Sequence, residues 1–294
     1  MTALPARAAM SVDVEDWFQV ENLSAAIARD TWDERELRVE RNVDRLLELM
    51  RERGVRGTWF VLGWVAERAP ALVRRIAAEG HEIASHGFGH ELVSALTPER
   101  FQADVERSKK ALEDLTGTEV IGYRAPNFSI TDWSIDVLCS LGFRYDSSAF
   151  PTIVHDRHGK LAGVRADRPI MELRPGFHEV CVSCLSLCGR GLPWGGGGYF
   201  RLLPYRVFRA GIRQILGVGR PYVFYIHPWE IDPDQPRVGG LRRHQAFRHY
   251  LNLGRTEPRF NALLLDFEWT TIHDLLDRWK VGGRVESDIR PQAL

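Results

Sequence analysis

The chain has 294 residues, of which 44% are hydrophobic, so it can bury one large core with or without a small appendage. Lysine plus arginine and aspartate plus glutamate both total 39, and this zero formal charge argues against a nucleic-acid-binding protein. No run of about 18 apolar residues occurs, and the first residues contain no apolar stretch of the signal-peptide type, so we expect a cytoplasmic protein.

Short apolar runs alternate with amphipathic stretches along the chain. The runs predict strands at residues 8–14, 57–62, 82–85, 120–123, 143–145 and 222–226. Apolar residues at helical spacing between them predict helices, of which the clearest begins at the N-cap Thr97 and ends at Gly117. Two further helices are expected to end at Gly54 and just before Gly80. This alternation is typical of an α/β protein with a mostly parallel sheet.

Residues 151–200 break that alternation. The glycine run in PWGGGGYF at 193–200 predicts a flexible loop, and the surrounding sequence predicts an insertion with irregular strands. After Pro236 the composition becomes basic and aromatic, and an apolar helix candidate follows. We therefore predict a main α/β domain over residues 1–240 and a C-terminal extension over 241–294 that packs on it.

Three of the four cysteines, Cys181, Cys184 and Cys188, form the cluster CVSCLSLC. A C-x-x-C pair can bind zinc, but a structural zinc site normally needs a second pair, and none follows. Reduced, partly buried thiols are the favoured interpretation for a cytosolic chain. The sequence leaves the role of the cluster open.

Polar and ionisable residues cluster directly after the predicted strands. The five clusters are SVDVEDW, SHGFGH, YRAPNF, YDSSAF and YIHPWE. In a barrel of parallel strands these loops meet at one face, where such folds place their active sites. The sequence therefore predicts an active site at that face.

His86 and His90 are four residues apart, so both imidazoles can reach one metal ion. Asp13, Glu15 and Asp16 at the end of the first strand offer an acidic third ligand, although one of them is explained as well by helix capping. Two histidines and one carboxylate form a common catalytic zinc set that leaves a position open for water.

Taken in order, the motifs SVDVED, HGFGH, RAP, YDSS and YIH resemble those of the polysaccharide deacetylase family, which is also called NodB-like or carbohydrate esterase family four. The resemblance covers roughly residues 8–230. It implies a distorted (β/α) barrel. It also implies a metal-dependent hydrolase that removes acetyl groups from the N-acetylated sugars of a polysaccharide. Zinc is the favoured metal, with cobalt, nickel and iron as alternatives.

The resemblance assigns the metal ligands to Glu15, His86 and His90. The family more often has two adjacent aspartates where this chain reads Asp-Val-Glu-Asp. Because side chains alternate along a strand, Asp13 and Glu15 point the same way, which favours Glu15 over Asp16 as the third ligand.

The remaining roles follow from the same resemblance. Asp13 corresponds to the catalytic base and Arg124 to the arginine that pairs with it. His227 corresponds to the general acid and Asp146 to the carboxylate that holds its other ring nitrogen. The backbone N–H of Asn127, where the family commonly has tyrosine, is expected to bind the oxyanion.

Tryptophans near the predicted site are candidates for stacking on sugar rings. Trp194 and Trp229 are assigned as substrate-binding residues on this ground, with core packing as the alternative for each.

The phrases DVEDWFQV, RAPNFSI, HPWEID and RHYLNLGRTEPR resemble a bacterial branch of the family associated with exopolysaccharide synthesis and exosortase loci. The resemblance implies a nascent or lipid-linked glycan substrate and a transient association with membrane-linked glycan synthesis machinery. The stretch with Arg242, Arg243, Arg248 and Arg255 is interpreted as a solvated helix face, with binding of pyrophosphate or acidic sugars as the alternative.

Two other functions stay open at this point. One is a hydrolase of the same fold that acts on a small cyclic imide, ureide or other non-sugar amide. The other is a glycan-binding protein without turnover, although pure recognition has no use for both a base and an acid.

Overall fold

The computed structural model describes residues 8–151, 161–162, 164–165, 167–187 and 190–288, without the side chains of 187, 190 and 282–288. Its strands are β1 (Ala8–Val14), β2 (Thr58–Val61), β3 (Glu82–Ser85), β4 (Gly122–Tyr123), β5 (Tyr145–Asp146), β6 (Ile170–Arg174), β7 (Phe177–Val180), β8 (Cys184–Leu187), β9 (Arg190–Pro193), β10 (Tyr222–Ile226) and β11 (Trp269–Thr270). Its helices are α1 (Val39–Glu52), α2 (Gly63–Arg68), α3 (Pro70–Ala78), α4 (Pro98–Thr116), α5 (Asp132–Ser140), α6 (Gly197–Leu202), α7 (Tyr205–Gly217), α8 (Arg243–Tyr250), α9 (Leu253–Asp266) and α10 (Ile272–Asp288).

The main sheet has the strand order β10-β1-β2-β3-β4-β5-β7-β6, and β11 pairs with the start of β1. All of these pairs are parallel except β6 with β7. Because helices connect β1 through β5 in the predicted alternation, the carboxyl ends of these strands share one edge of the sheet.

Irregular backbone closes the gap between the two ends of the curled sheet. Val182 N donates to Ala149 O, just beyond β5, at 3.0 Å, and on the other side Tyr225 N of β10 donates to Gly195 O at 2.7 Å. A barrel completed in this way is distorted rather than regular. The α/β fold class and the NodB-like barrel that the resemblance implies are confirmed.

The strands predicted at 8–14, 82–85 and 222–226 have the expected bounds, and the other three predicted strands are shorter than expected. The helix predicted from Thr97 is α4, because the Thr97 side chain accepts a hydrogen bond from Arg100 N and Gly117 ends the helix at φ 67°. Period and capping chemistry therefore located these elements correctly.

The run at 193–200 is not a flexible loop, and this prediction is wrong. Residues Gly197–Leu202 form α6, and Gly196 adopts φ 140°. A Cβ at Gly196 would lie 2.0 Å from Tyr225 O, so the glycine permits close backbone packing against β10. The absence of side chains in this glycine run allows close packing against the barrel and does not make the segment a flexible loop.

The C-terminal helices pack tightly against the barrel. Ile272 and Leu276 of α10 join the buried cluster that fills the barrel interior with Phe60 and Tyr145. The start of α10 is hydrogen-bonded to β2, since Ile272 N donates to Thr58 Oγ1 at 2.8 Å. The domain boundary at residue 240 stays a prediction.

Candidate active site

Side chains from the ends of β1, β3 and β10 meet at the edge predicted from the sequence. Asp13, Glu15, His86, His90 and His227 all line one open cavity of about 360 Å³. That volume suits a small ligand or one part of a larger one. The convergence places five of the predicted site residues around a shared space.

Glu15, His86 and His90 form a compact group of possible metal ligands. One ligand atom from each lies within 4.8 Å of the others, and all three residues are buried. Glu15 Oε2 is 2.5 Å from His90 Nε2. His86 Nδ1 lies 2.8 Å from the carbonyl oxygen of Arg124, so it donates there and its Nε2 carries the free lone pair.

The donor set fits a divalent ion of the zinc type. Burial lowers the pKa of His86 to about 4, so its imidazole is neutral at pH 7 and able to bind a metal. Burial raises the pKa of Glu15, but the imidazoles of His90 and His227 outweigh burial and hold that pKa well below the usual range. Glu15 is therefore an anion, as a carboxylate ligand must be.

Asp16 is fully used as a structural cap. Its Oδ1 accepts from Trp17 N at 2.7 Å, and its Oδ2 accepts from Arg38 N at 2.7 Å and from Val39 N at 2.9 Å. These bonds point the carboxylate away from the histidines and tie β1 to the start of α1. Of the two acids weighed from the sequence, the structure brings Glu15 to the histidines.

The loop that carries His90 is held by an aspartate that sequence reasoning missed. Asp104 of α4 accepts from Phe88 N at 2.7 Å and from Gly89 N at 2.9 Å. His90 itself adopts φ 54°, a conformation rare for a residue with a side chain. Asp104 lies on the polar side of an amphipathic helix, where a solvated residue is the ordinary expectation, so no sequence pattern indicated this role.

Arg124 lies fully buried beneath the site and contacts Asp13. Its Nη1 is 2.6 Å from Asp13 Oδ1 and 2.8 Å from Ser11 Oγ, and its Nε donates to Ser147 O at 2.9 Å. The guanidinium therefore fixes the orientation of Asp13 and compensates its buried charge. The predicted pairing of Arg124 with Asp13 is present.

His227 faces the acids of β1 from the opposite side of the cavity. Its Nε2 lies 3.6 Å from Glu15 Oε1 and 3.8 Å from Asp13 Oδ2. Its Nδ1 lies 3.4 Å from Glu230 Oε2, an ion-pair distance longer than a good hydrogen bond. Burial lowers the pKa of His227, but the carboxylates of Glu15 and Glu230 outweigh it and raise the pKa to about 9.

The predicted contact between Asp146 and His227 must be corrected. Asp146 accepts from Ser148 Oγ at 2.5 Å and lies close to the buried carboxyl of Glu179. Glu230 faces the second ring nitrogen of His227 instead, because the turn Pro228–Ile231 folds it back within three residues. The signal was the HPWE sequence itself, which places an acid three residues after the histidine.

Glu230 is in turn held by Arg201 of α6. Arg201 Nε donates to Glu230 Oε1 at 2.9 Å, and both side chains are almost fully buried. Sequence reasoning missed this pair because nothing in the glycine-rich run before Arg201 indicates a helix that reaches the site.

Neither predicted sugar-stacking tryptophan presents an open face. Trp194 is stacked on Phe208 at 5.6 Å and donates to the carbonyl of that residue. Trp229 is stacked between the rings of His227 and His249, at 5.2 and 4.6 Å. The indole N–H of Trp229 donates to Glu15 Oε1 at 3.1 Å, so Trp229 orients the acid of the ligand group.

Asn127 lines the same cavity with φ 52°, in the turn Pro126–Phe128 that follows Ala125. This position on the cavity wall agrees with the place expected for an oxyanion donor. The role of its backbone N–H stays a prediction.

Cys181 and Cys184 are free and buried. Burial raises the pKa of the Cys181 thiol well above its usual range and that of Cys184 to about 12, so both are protonated at neutral pH. Cys188 lies outside the described residues. Within the part of the chain that is described, no helix has the length and apolar content that a membrane span requires.

Comparison with known proteins identifies a family that the chain resembles and solved structures with a similar fold. Residues 27–145 match the model of the family described as polysaccharide deacetylase, and residues 147–277 match a domain of unknown function, DUF3473. The crystal structure of a candidate polysaccharide deacetylase from Mycobacterium smegmatis superposes with a TM-score of 0.59 at 22% identity, over 100% of this chain and 96% of the other. Peptidoglycan deacetylase PdaC from Bacillus subtilis superposes with a TM-score of 0.50 at 12% identity, over 97% and 98%. These two likenesses concern the fold.

Curated relatives match over shorter stretches. Peptidoglycan deacetylase-like protein FGM2 of Gibberella zeae is 36% identical over 108 residues, which are 36% of this chain and 32% of the relative. Peptidoglycan deacetylase of Helicobacter pylori is 32% identical over 37% of each chain. Chitooligosaccharide deacetylase of Sinorhizobium fredii is 28% identical over 46% of this chain and 65% of the relative. The chain thus spans a third to two thirds of these relatives' lengths, and its residues 27–145 match the polysaccharide deacetylase family, which is of the NodB-like type.

Proposed function

We propose that this protein is a metal-dependent N-deacetylase acting on the N-acetylated sugars of a polysaccharide. The observation that carries the proposal is the convergence of Glu15, His86 and His90 beside a second acid and a histidine, across an open cavity. The names of the relatives, which act on peptidoglycan or chitooligosaccharides, support an amide of an N-acetylated glycan as the substrate.

The chain's own residues divide the chemistry between the two sides of the cavity. When bound, a divalent ion supplies a Lewis acid that polarises the acetyl carbonyl and makes water more acidic. Asp13, fixed by Arg124, accepts the proton of the attacking water as its oxygen adds to the acetyl carbon. The Asn127 N–H stabilises charge on the carbonyl oxygen.

His227 completes the reaction from the opposite side. Although burial lowers the pKa of His227, the carboxylates of Glu15 and Glu230 raise it, which favours the protonated imidazole that can donate to the departing amine nitrogen. The carbon–nitrogen bond breaks, and acetic acid, which ionises to acetate in solution, leaves with the free amino sugar. Asp13 then releases its proton to solvent, and His227 takes one up. Glu230 and Arg201 hold the imidazole in place through this transfer.

The finer parts of the proposal rest on the resemblance of the sequence. We propose zinc as the resident metal and the cytoplasm as the location. The glycan would be deacetylated during exopolysaccharide synthesis, in transient association with membrane-linked glycan synthesis machinery. Reloading chelator-treated protein separately with zinc, cobalt, nickel and iron(II) would rank the metals by the acetate that each restores.

The decisive experiment compares the wild type with His86→Ala. Metal content and acetate release from N-acetylglucosamine oligomers are both expected to fall to background, a loss of about 10³-fold or more in rate, because the ligand group loses one of three donors. His244→Ala, which removes an exposed histidine of α8, is the matched control and is expected to keep both.

Full acetate release by His86→Ala, or by metal-free wild type, would refute the proposal. Ring opening of small cyclic imides or ureides at a higher kcat/KM than acetate release would favour the non-sugar amide hydrolase. Glycan binding without release of acetate by the metal-loaded protein would favour the glycan-binding alternative.

A further inference from the structure

The C-terminal region supplies one wall of the cavity. This wall comes from α6, α8 and the residues that follow α8, all of which lie beyond the stretch that matches the deacetylase family model. Its members, which we call the α8 wall, are Gly198, Tyr199, Leu202, Phe247, Arg248 and Leu251. The opposite part of the lining, which we call the catalytic floor, consists of Asp13, Glu15, His86, His90 and His227. Groups on the wall face any part of a ligand that extends out of this floor.

Arg201 and Arg248 lie side by side at this wall and differ in the hydrogen bonds that their guanidinium groups form. Arg201 is buried, and its guanidinium is bonded to Glu230 and to the carbonyl oxygens of Arg248, His249 and Leu251. Arg248 is exposed, and its guanidinium has no hydrogen bond or ion pair with any residue that the structure describes. Arg201 therefore fixes the backbone that carries Arg248 and leaves the Arg248 side chain available.

The surroundings of Arg248 favour an anionic ligand group. Residues 242–255, which include α8, contain four arginines and no acid, so this segment of the wall is positively charged. Asp13 and Glu15 lie on the floor of the cavity and repel an anion there, while Glu21 lies nearer α8, on the turn Glu21–Leu23 that packs against that helix. A negative group on a bound glycan is thus directed toward the rim.

Phe247, beside Arg248, adds an apolar surface. Its side chain is 58% exposed although it lines the cavity, which is unusual for so large an apolar group. Aromatic faces pack against the apolar faces of sugar rings, and the planar guanidinium of arginine binds carboxylates and phosphates through two parallel hydrogen bonds.

We propose that Arg248 and Phe247 form a rim subsite for an acidic sugar next to the sugar that loses its acetyl group. This inference rests on the proposed deacetylase function and names the substrate class, a glycan that bears carboxylate or phosphate groups. Phe247 packs on the ring of the acidic sugar, and Arg248 binds its carboxylate or phosphate group.

The test uses three tetrasaccharides. The first alternates N-acetylglucosamine with glucuronic acid, the second is neutral tetra-N-acetylglucosamine, and the third is the neutral one carrying a single 6-phosphate. Dissociation constants are measured by calorimetry in a His227→Ala background, so that the ligand is not consumed, and kcat and KM are measured with His227 intact.

Arg248→Ala is expected to raise Kd and KM for an acidic tetrasaccharide about 5- to 10-fold, because a charge-assisted contact at an exposed rim is lost. The turnover number and the values for the neutral tetrasaccharide are expected to stay within about twofold. Arg248→Lys should recover part of the affinity. Arg243→Ala, an exposed arginine of the same helix outside the cavity wall, is the matched control and should change little.

The outcomes separate the two proposals. Arg248-dependent binding of an acidic tetrasaccharide by a protein that releases no acetate supports the subsite and refutes the deacetylase, and the carboxylate and phosphate arms identify the ligand group. Equal losses for acidic and neutral ligands, equal effects of Arg243→Ala and Arg248→Ala, or no binding of either acidic probe would overturn the subsite.

Discussion

The catalytic floor and the α8 wall of the same cavity are built on opposite principles. On the floor the charged groups are buried and held by partners, as Asp13 is by Arg124 and Glu15 is by the Trp229 indole N–H. On the wall, Phe247 and Arg248 are exposed, and Arg248 forms no ion pair with any described acid. Fixed geometry suits the reacting atoms, whereas groups that keep contact with water suit recognition of a variable polymer.

The difference predicts that substitutions on the floor affect metal binding and turnover, whereas those on the wall affect substrate affinity. Removal of a metal ligand, described above for His86, is the largest expected effect. The following substitutions of other floor residues and their partners are given in order of decreasing expected effect.

His227→Ala tests whether the two sides of the floor act independently. Bound metal is expected to remain, because the ligand group does not include this residue. The turnover number is expected to fall about 10²- to 10⁴-fold with loss of the proton donor. Metal analysis beside steady-state kinetics measures both, and loss of the metal together with turnover would contradict the assigned division of roles.

Glu230→Gln tests the support of His227 rather than the histidine itself. A loss of about 10- to 100-fold in kcat/KM is expected, as for other groups that orient a catalytic side chain. Glu230 helps to raise the pKa of His227, so its neutral replacement lowers that pKa. Because the protonated imidazole is the active form, the high-pH limb of the kcat/KM profile should move to lower pH.

Glu257→Gln is the control for that change, since it removes a carboxylate of α9 that pairs with Arg45 outside the cavity. Its pH profile should match the wild type. A Glu230→Gln profile with an unmoved alkaline limb would mean that Glu230 has a structural role only.

Trp229→Phe is expected to have the smallest effect on the floor. The aromatic packing between His227 and His249 is retained, but the hydrogen bond to Glu15 is lost, so metal affinity should fall about 10-fold. Trp194→Phe, which loses only a bond to a core carbonyl, should lower stability by about 1 kcal/mol and leave metal affinity unchanged. If metal titrations give the same affinity for both variants, Trp229 contributes to packing only and does not support metal binding.

Most residues of the catalytic floor could be predicted from the sequence because they lie at the ends of strands, and the pattern of apolar residues identifies those strands. Alternation along β1 separated Glu15 from Asp16, and the i, i+4 spacing paired His86 with His90. The chemistry of these positions is local to each motif. Their meeting follows from a parallel sheet, whose strand ends share one edge.

The α8 wall and the partners of His227 were not predictable in the same way. Arg201 reaches Glu230 only because Gly196 and Gly197 allow α6 to start against β10, a tertiary contact with no local pattern. Asp146 was paired with His227 by resemblance, whereas the acid three residues after the histidine lies closer. Trp194 and Trp229 are aromatic residues whose burial depends on neighbours distant in sequence.

The position of β1 in the sheet has a consequence for folding during synthesis. Residues 8–14 pair with β10 at 222–226 and with β11 at 269–270, so β1 pairs with strands that are synthesised much later than itself. Until then the edge of a mostly apolar strand stays unpaired, a state prone to aggregation. Such long-range closure makes folding slow, and recombinant yield is therefore expected to depend on growth temperature and chaperone supply.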